Sequence, residues 1–81
     1  MTITEAKKEI IAVIVKSTET ELEVTEETHL VKELGLSSVE AMILLSDLED
    51  RFGIRIPVSR LRNVRTVNDL CQVVIDTLIQ G

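Results

Sequence analysis

The run Leu34-Gly35-Leu36-Ser37-Ser38-Val39-Glu40, followed by apolar residues at helical spacing, decides how this chain is read. Ser37 with Glu40 three residues on forms a capping box: the serine oxygen accepts from the third helical N–H while the glutamate reaches back to the N–H of the cap itself. Ser38 then falls at the first helical position, with an exposed hydroxyl free for modification. A helix start offers unpaired N–H groups and the positive end of the peptide dipoles to any phosphate attached there. Ser38 is therefore the candidate attachment point.

Downstream, Met42, Leu44, Leu45, Leu48 and Phe52 carry the helical period forward, and Gly53 tolerates the left-handed conformation that follows a last turn. A helix is expected over residues 38–52. Leu44, Leu45, Leu48 and Phe52 can face a core together, each contributing ~1.5–3 kcal/mol if fully buried. Val39, Met42, Ile43, Ser46, Glu49 and Asp50 are left around the remaining surface.

Upstream, Thr2-Ile3-Thr4-Glu5 offers another capping box, and Ile3, Ala6, Ile10, Val13 and Ile14 recur at three- and four-residue steps, so a first helix is expected over 3–17. Residues 18–36 are polar and β-branched and interrupt the period. They read as a long loop, studded with Leu22, Val24, Leu30, Val31, Leu34 and Leu36, that packs across the bundle. Beyond Gly53, Ile54-Arg55-Ile56-Pro57 alternates and reads as an extended crossing segment before a short helix or turn at 59–63, which Ser59 could cap. Thr66 with Asp69 starts a final helix, with Val67, Leu70, Cys71, Val74 and Leu78, joined by Ile75, as its buried stripe. The expected fold is all-α: a four-helix bundle of three main helices and one short one in a single domain over residues 1–81, with a long loop between the first two helices.

Composition bounds what such a chain can do. A domain of 81 residues buries only about 60–65% of the surface that its unfolded chain exposes. With one phenylalanine and no tyrosine or tryptophan, the core must be aliphatic. One cysteine rules out an internal disulfide framework, and no stretch reaches the ~20 apolar residues of a membrane span. A soluble, cytoplasmic monomer without membrane contact is expected. Residues 1–50 hold 12 acids and 4 Lys/Arg, for −8, and residues 51–81 hold 2 acids and 5 arginines, for +3, which together recover the net −5. The acidic half repels nucleic acid, and the arginines at 51, 55, 60, 62 and 65 lack the interleaved aromatics of a single-strand binder, so no nucleic-acid partner is expected. The simpler reading of those arginines is a solvated edge; the sharper one is a patch for a partner or for the far end of a bound group.

Catalytic chemistry finds no support. His29 has no Cys, His or paired acid at metal-ligand spacing and reads as a loop-surface residue rather than a ligand. Cys71 lies in the buried register of the last helix, as a small core residue rather than a reactive thiol. No Ser–His–acid set or glycine-rich phosphate loop can be assembled, so neither an active site nor a metal site is expected.

Over nearly the whole chain these residues resemble the acyl and peptidyl carrier proteins, whose signature is a Leu-Gly-x-Asp-Ser-Leu-like run at the start of the second helix. Leu34-Gly35-Leu36-Ser37-Ser38-Val39 is similar to that run. Leu48-Glu49-Asp50-Arg51-Phe52-Gly53-Ile54-Arg55-Ile56-Pro57 looks like the acidic helix end, Phe and Ile-Pro segment of the family, and Thr66-Val67-Asn68-Asp69-Leu70 like the start of its last helix. Each motif is short; the three in order and at the family's spacing are specific. The resemblance implies that Ser38 receives a 4′-phosphopantetheine arm from coenzyme A through a separate magnesium-dependent phosphopantetheinyl transferase. It also implies that an acyl or aminoacyl group rides on the arm's thiol as a thioester, passed between a loading enzyme and ketosynthase or condensation-type partners. The alternative is an unmodified helical interaction module using the same surface.

There are two departures from the family pattern. Ser37 stands where the family carries aspartate, which preserves the cap and removes a negative charge that could favour the modifying enzyme or its metal. On the exposed side of the second helix, Ile43 and Ser46 stand where acidic or larger apolar residues are usual, leaving the acids Glu40, Asp47, Glu49 and Asp50. A docking surface is expected there, with Val39, Met42 and Ile43 as an apolar anchor and Glu40, Ser46, Glu49 and Asp50 around it. That composition points toward a polyketide or nonribosomal peptide pathway more than toward fatty-acid synthesis.

Overall fold

The computed structural model describes residues 1–80; Gly81, the last residue of the expected domain span, lies outside the described residues. Three α-helices form, α1 (Ile3–Thr18), α2 (Ser38–Phe52) and α3 (Val67–Gln80), with one 3-10 turn (Val58–Leu61) between the last two. Helix α1 packs against both α2 and α3, and the 3-10 turn packs against α3.

Each helix starts on a reciprocal cap. Thr2 and Glu5 cap α1, and the Ser37 hydroxyl and Glu40 carboxylate cap α2. At α3 the Thr66 hydroxyl accepts from the Asp69 N–H at 3.2 Å, while Asp69 Oδ2 accepts from the N–H groups of both Thr66 and Arg65. These bonds hold the Glu5, Glu40 and Asp69 carboxyls below their ordinary pKa values, because N–H and O–H donors favour the charged form. Both α1 and α2 end on a left-handed residue, at Glu19 (φ 52°) and Gly53 (φ 64°).

The core is aliphatic. Ala6, Ile10 and Ile14 from α1, Leu44, Leu45 and Leu48 from α2, and Val67, Leu70, Cys71, Val74 and Ile75 from α3 are buried, joined by Leu30, Leu36 and Ile56 from the connections. Phe52, Val13 and Leu78 are only half-buried against this cluster, and Ile3 is exposed. They lie near helix ends or on the flanks of the stripe, where no further layer covers them.

The expected fourth helix is a 3-10 turn. Pro57 takes the place before its first residue, with no side-chain cap, so Ser59 does not serve as one. The bonds there run three residues back, from Arg60 N–H to Pro57 O and from Val64 N–H to Leu61 O. Four residues give one turn at most, too few to offset the cost of nucleating an α-helix, and the tighter spiral results.

The long loop is tied down at its second half. Thr28, buried and polar, accepts the Thr25 N–H on its hydroxyl at 2.8 Å and the Val67 N–H on its carbonyl at 2.9 Å. Leu30 N–H donates to Arg65 O, Asn68 N–H donates to Glu26 O, and His29 pairs with Thr66 in an isolated antiparallel bridge. Of the apolar residues expected to pack across the bundle, Leu30 and Leu36 are buried and Val24 and Leu34 partly so, while Leu22 and Val31 are exposed. His29 is half-buried, and its Nδ1 accepts the Lys32 N–H at 3.1 Å, closing a turn rather than standing free. Gly35 (φ 67°) then reverses the chain in a conformation that a side chain would strain, sending Leu36 into the core and delivering Ser37 to the cap of α2.

Candidate functional site

The site is built on the first turn of α2. The Ser37 Oγ accepts the Glu40 N–H at 3.2 Å, and Glu40 Oε1 accepts the Ser37 N–H at 3.1 Å. Two of the four unpaired donors of the helix start are thereby satisfied. The N–H groups of Ser38 and Val39 find no partner among the described residues and remain open at the positive end of the helix. Ser38 is exposed, so its hydroxyl stands beside two free donors while the neighbouring serine is committed to the cap. Those features fit a phosphodiester at Ser38: space for it, donors for its oxygens and a dipole of the right sign.

Around Ser38 the structure sorts the expected docking residues into two groups. Val39 (69% exposed), Met42 (47%), Ile43 (53%), Ser46 and Asp50 share the solvent side of α2. The other acids are engaged within the chain. Glu40 is held in the cap. Half-buried Glu49 accepts the Ile56 N–H on Oε2 at 2.7 Å, and Asp47 Oδ2 accepts from the Ser17 hydroxyl at 2.8 Å, linking α2 to α1. The tasks of Asp47 and Glu49 have no local signature in the sequence, since their partners lie 30 and 7 residues away and are chosen by the fold.

Behind this surface lies a cavity of about 110 Å³, walled by Leu30, Val31, Leu36, Ala41, Leu44, Leu45, Leu48, Leu61, Val64 and Leu70. Every wall residue is aliphatic. An apolar space of this order, open to solvent past the exposed Val31, suits a small apolar group, since its walls offer water few polar partners. Leu36 and Ala41 place it next to the first turn of α2.

Comparison with known proteins agrees with this architecture. The helical fold superposes on a solved structure described as "a putative acyl carrier protein" from Mycobacterium tuberculosis, with a TM-score of 0.81 and 31% identity, covering 88% of this chain and 96% of that one. Residues 8–74 match the family described as "Phosphopantetheine attachment site". The chain belongs to this family, the acyl carrier proteins, whose prosthetic group is 4′-phosphopantetheine. Among curated relatives, a "Probable acyl carrier protein" of Caulobacter vibrioides is 38% identical over 55 residues, covering 68% of this chain and 64% of the relative. An "Acyl carrier protein" of Saccharopolyspora erythraea is 35% identical over 54 residues, covering 67% and 57%. The matched stretch thus spans less than two thirds of the length of each of these two relatives.

Proposed function

We propose that this chain is a carrier domain whose Ser38 oxygen bears the 4′-phosphopantetheine arm, and that it presents acyl or aminoacyl groups to separate enzymes without catalysing a reaction itself. The observation that carries the reading is the division of labour between the two serines: Ser37 is bound into the cap, and Ser38 is exposed with free N–H donors beside it. When bound, the group supplies a terminal thiol that holds the cargo as a thioester on a long flexible arm, raising its effective concentration at each partner. The chain's own residues fix the point of attachment. The helix start stabilises the phosphodiester charge, and Val39, Met42 and Ile43, with Ser46 and Asp50 at their edge, offer an apolar anchor to the transferase, the loading enzyme and ketosynthase or condensation-type partners.

Two of the acids expected on the docking rim, Glu40 and Glu49, are held within the chain. This leaves a surface more apolar than acidic, which supports work with dedicated partners in a polyketide or nonribosomal peptide pathway in the cytoplasm. The aliphatic cavity behind α2 offers shelter to a short apolar cargo.

The deciding experiment is the intact mass of the chain before and after incubation with coenzyme A, magnesium and a broad-specificity phosphopantetheinyl transferase, with Ser38→Ala alongside. One phosphopantetheinyl increment, absent from the variant, establishes the carrier. No increment with any transferase assigns the chain to unmodified interaction modules.

A further inference from the structure

The crossing segment between α2 and α3 carries four arginines, Arg55, Arg60, Arg62 and Arg65, and no carboxylate across residues 55–65. All four are exposed, and only Arg60 reaches an acid among the described residues, at a loose 3.8 Å from Asp76. The segment packs on α3 through its 3-10 turn and approaches α2 through Leu61 and Val64. Ser38, Met42, Leu45 and Glu49 follow one another at four- and three-residue steps and so line one edge of the helix. Glu49 holds the Ile56 N–H, and Leu45 shares a cavity wall with Leu61 and Val64. Leu61 and Val64, with Arg62 between them, therefore border the edge of α2 that carries Ser38, and Val58, 59% exposed, adds an apolar side chain to the same segment.

On α2 itself, Glu40, Asp47 and Glu49 keep their charge but have oxygens fixed by bonds within the chain, and Asp50, free of such a bond, stands three turns from Ser38. We infer that the surface presented to partner enzymes is an apolar centre with a basic rim, and that its occupant is a protein face that sets carboxylates around an apolar pocket, meeting Arg60 and Arg62 beside Val39, Met42 and Val58. The inference rests on the reading of Ser38 as the attachment point for its biological meaning, though not for its test. Charge complementarity selects a protein over other polyanions. A shaped face places discrete carboxylates on one rim, whereas nucleic acid or an anionic membrane extends its charge over the −8 of residues 1–50 and is repelled.

The unmodified full chain, labelled with nitrogen-15, is titrated with an amphipathic helical peptide of Leu and Glu, with the same peptide carrying Lys in place of Glu, and with phosphatidylserine vesicles. The expected result is saturable shifts at the amides of Val39, Met42, Val58 and Arg62 with the Glu peptide. Arg60→Glu/Arg62→Glu should weaken that binding about fivefold to tenfold, and Arg62→Lys should retain it. An unchanged spectrum away from the substitutions establishes that the variants fold. The inference is overturned if the Glu peptide leaves these amides unmoved, if the Lys peptide or the vesicles move them more, or if the double variant binds as well as the parent. Because no modification is needed, a failure here leaves the mass test at Ser38 standing, and the reverse holds too.

Discussion

Glu49 Oε2 accepts the backbone N–H of Ile56 at 2.7 Å, closing the turn that leads out of α2. The bond is partly shielded, its acceptor is a carboxylate, and Ile56 delivers a buried side chain to the core. Bonds of this kind contribute about 1.5–3 kcal/mol, so Glu49→Ala should lose roughly that much stability in urea unfolding. Amide exchange at Ile56 should accelerate along with the loss. Glu49→Gln keeps an acceptor and should cost less than half as much; equal loss in both variants would mean that packing of the side chain, not the bond, holds the segment.

Acid should loosen the first turn of α2. The Glu40 carboxyl is held below its ordinary value of 4.5, first by the Ser37 backbone N–H and then by the Ser37 hydroxyl. In that window the native state binds fewer protons than the unfolded chain. The contribution is therefore complete above about pH 4.5 and is lost as the pH falls through the lowered folded value. Glu5 and Asp69 act in the same direction at the other two helix starts. Thermal melting from pH 6 down to pH 3 should show falling stability, with a shallower fall in Glu40→Gln, whose amide oxygen still caps without titrating. Parallel curves for parent and variant would sink this assignment.

The three helix starts were legible because each is written within four residues: Thr2 with Glu5, Ser37 with Glu40, Thr66 with Asp69. The buried register of α3 was legible for the same reason, since its stripe repeats at helical steps. What escaped depends on distant partners. No local pattern shows that Thr28 is buried to accept from Thr25 and Val67, that Leu22 and Val31 face solvent, or that Glu49 turns back to hold Ile56. At the candidate site, the exposure of Ser38, Val39, Met42 and Ile43 follows from the cap register. Which acids remained free on α2 was decided by tertiary bonds.

Cys71 should be inert while the chain is folded. Its side chain is fully buried, and burial, reinforced by the Glu26 carboxylate, pushes the thiol up to about 11, away from the thiolate that alkylating reagents require. Iodoacetamide at pH 8 should label the native protein only at the rate of opening and label it quickly in concentrated urea. Cys71→Ser places a hydroxyl in an aliphatic core and should cost about 1–3 kcal/mol. Rapid native labelling would show that α3 opens locally far more often than its packing allows.

Replacing Ser37 by aspartate separates the structural duty of that position from its duty toward the modifying enzyme. Asp and Ser are about equally good at a helix cap, so stability should change by less than about 0.5 kcal/mol, and the carboxylate sits at the favourable end of the helix. On the reading of Ser38 as the attachment point, the transferase gains a negative charge beside the serine that it modifies. The phosphopantetheinylation rate measured by intact mass should then rise about threefold to tenfold. A stability change with no change in rate would locate recognition elsewhere on α2, and the next substitutions to examine would be Met42→Ala and Ile43→Ala, whose exposed side chains flank the same turn.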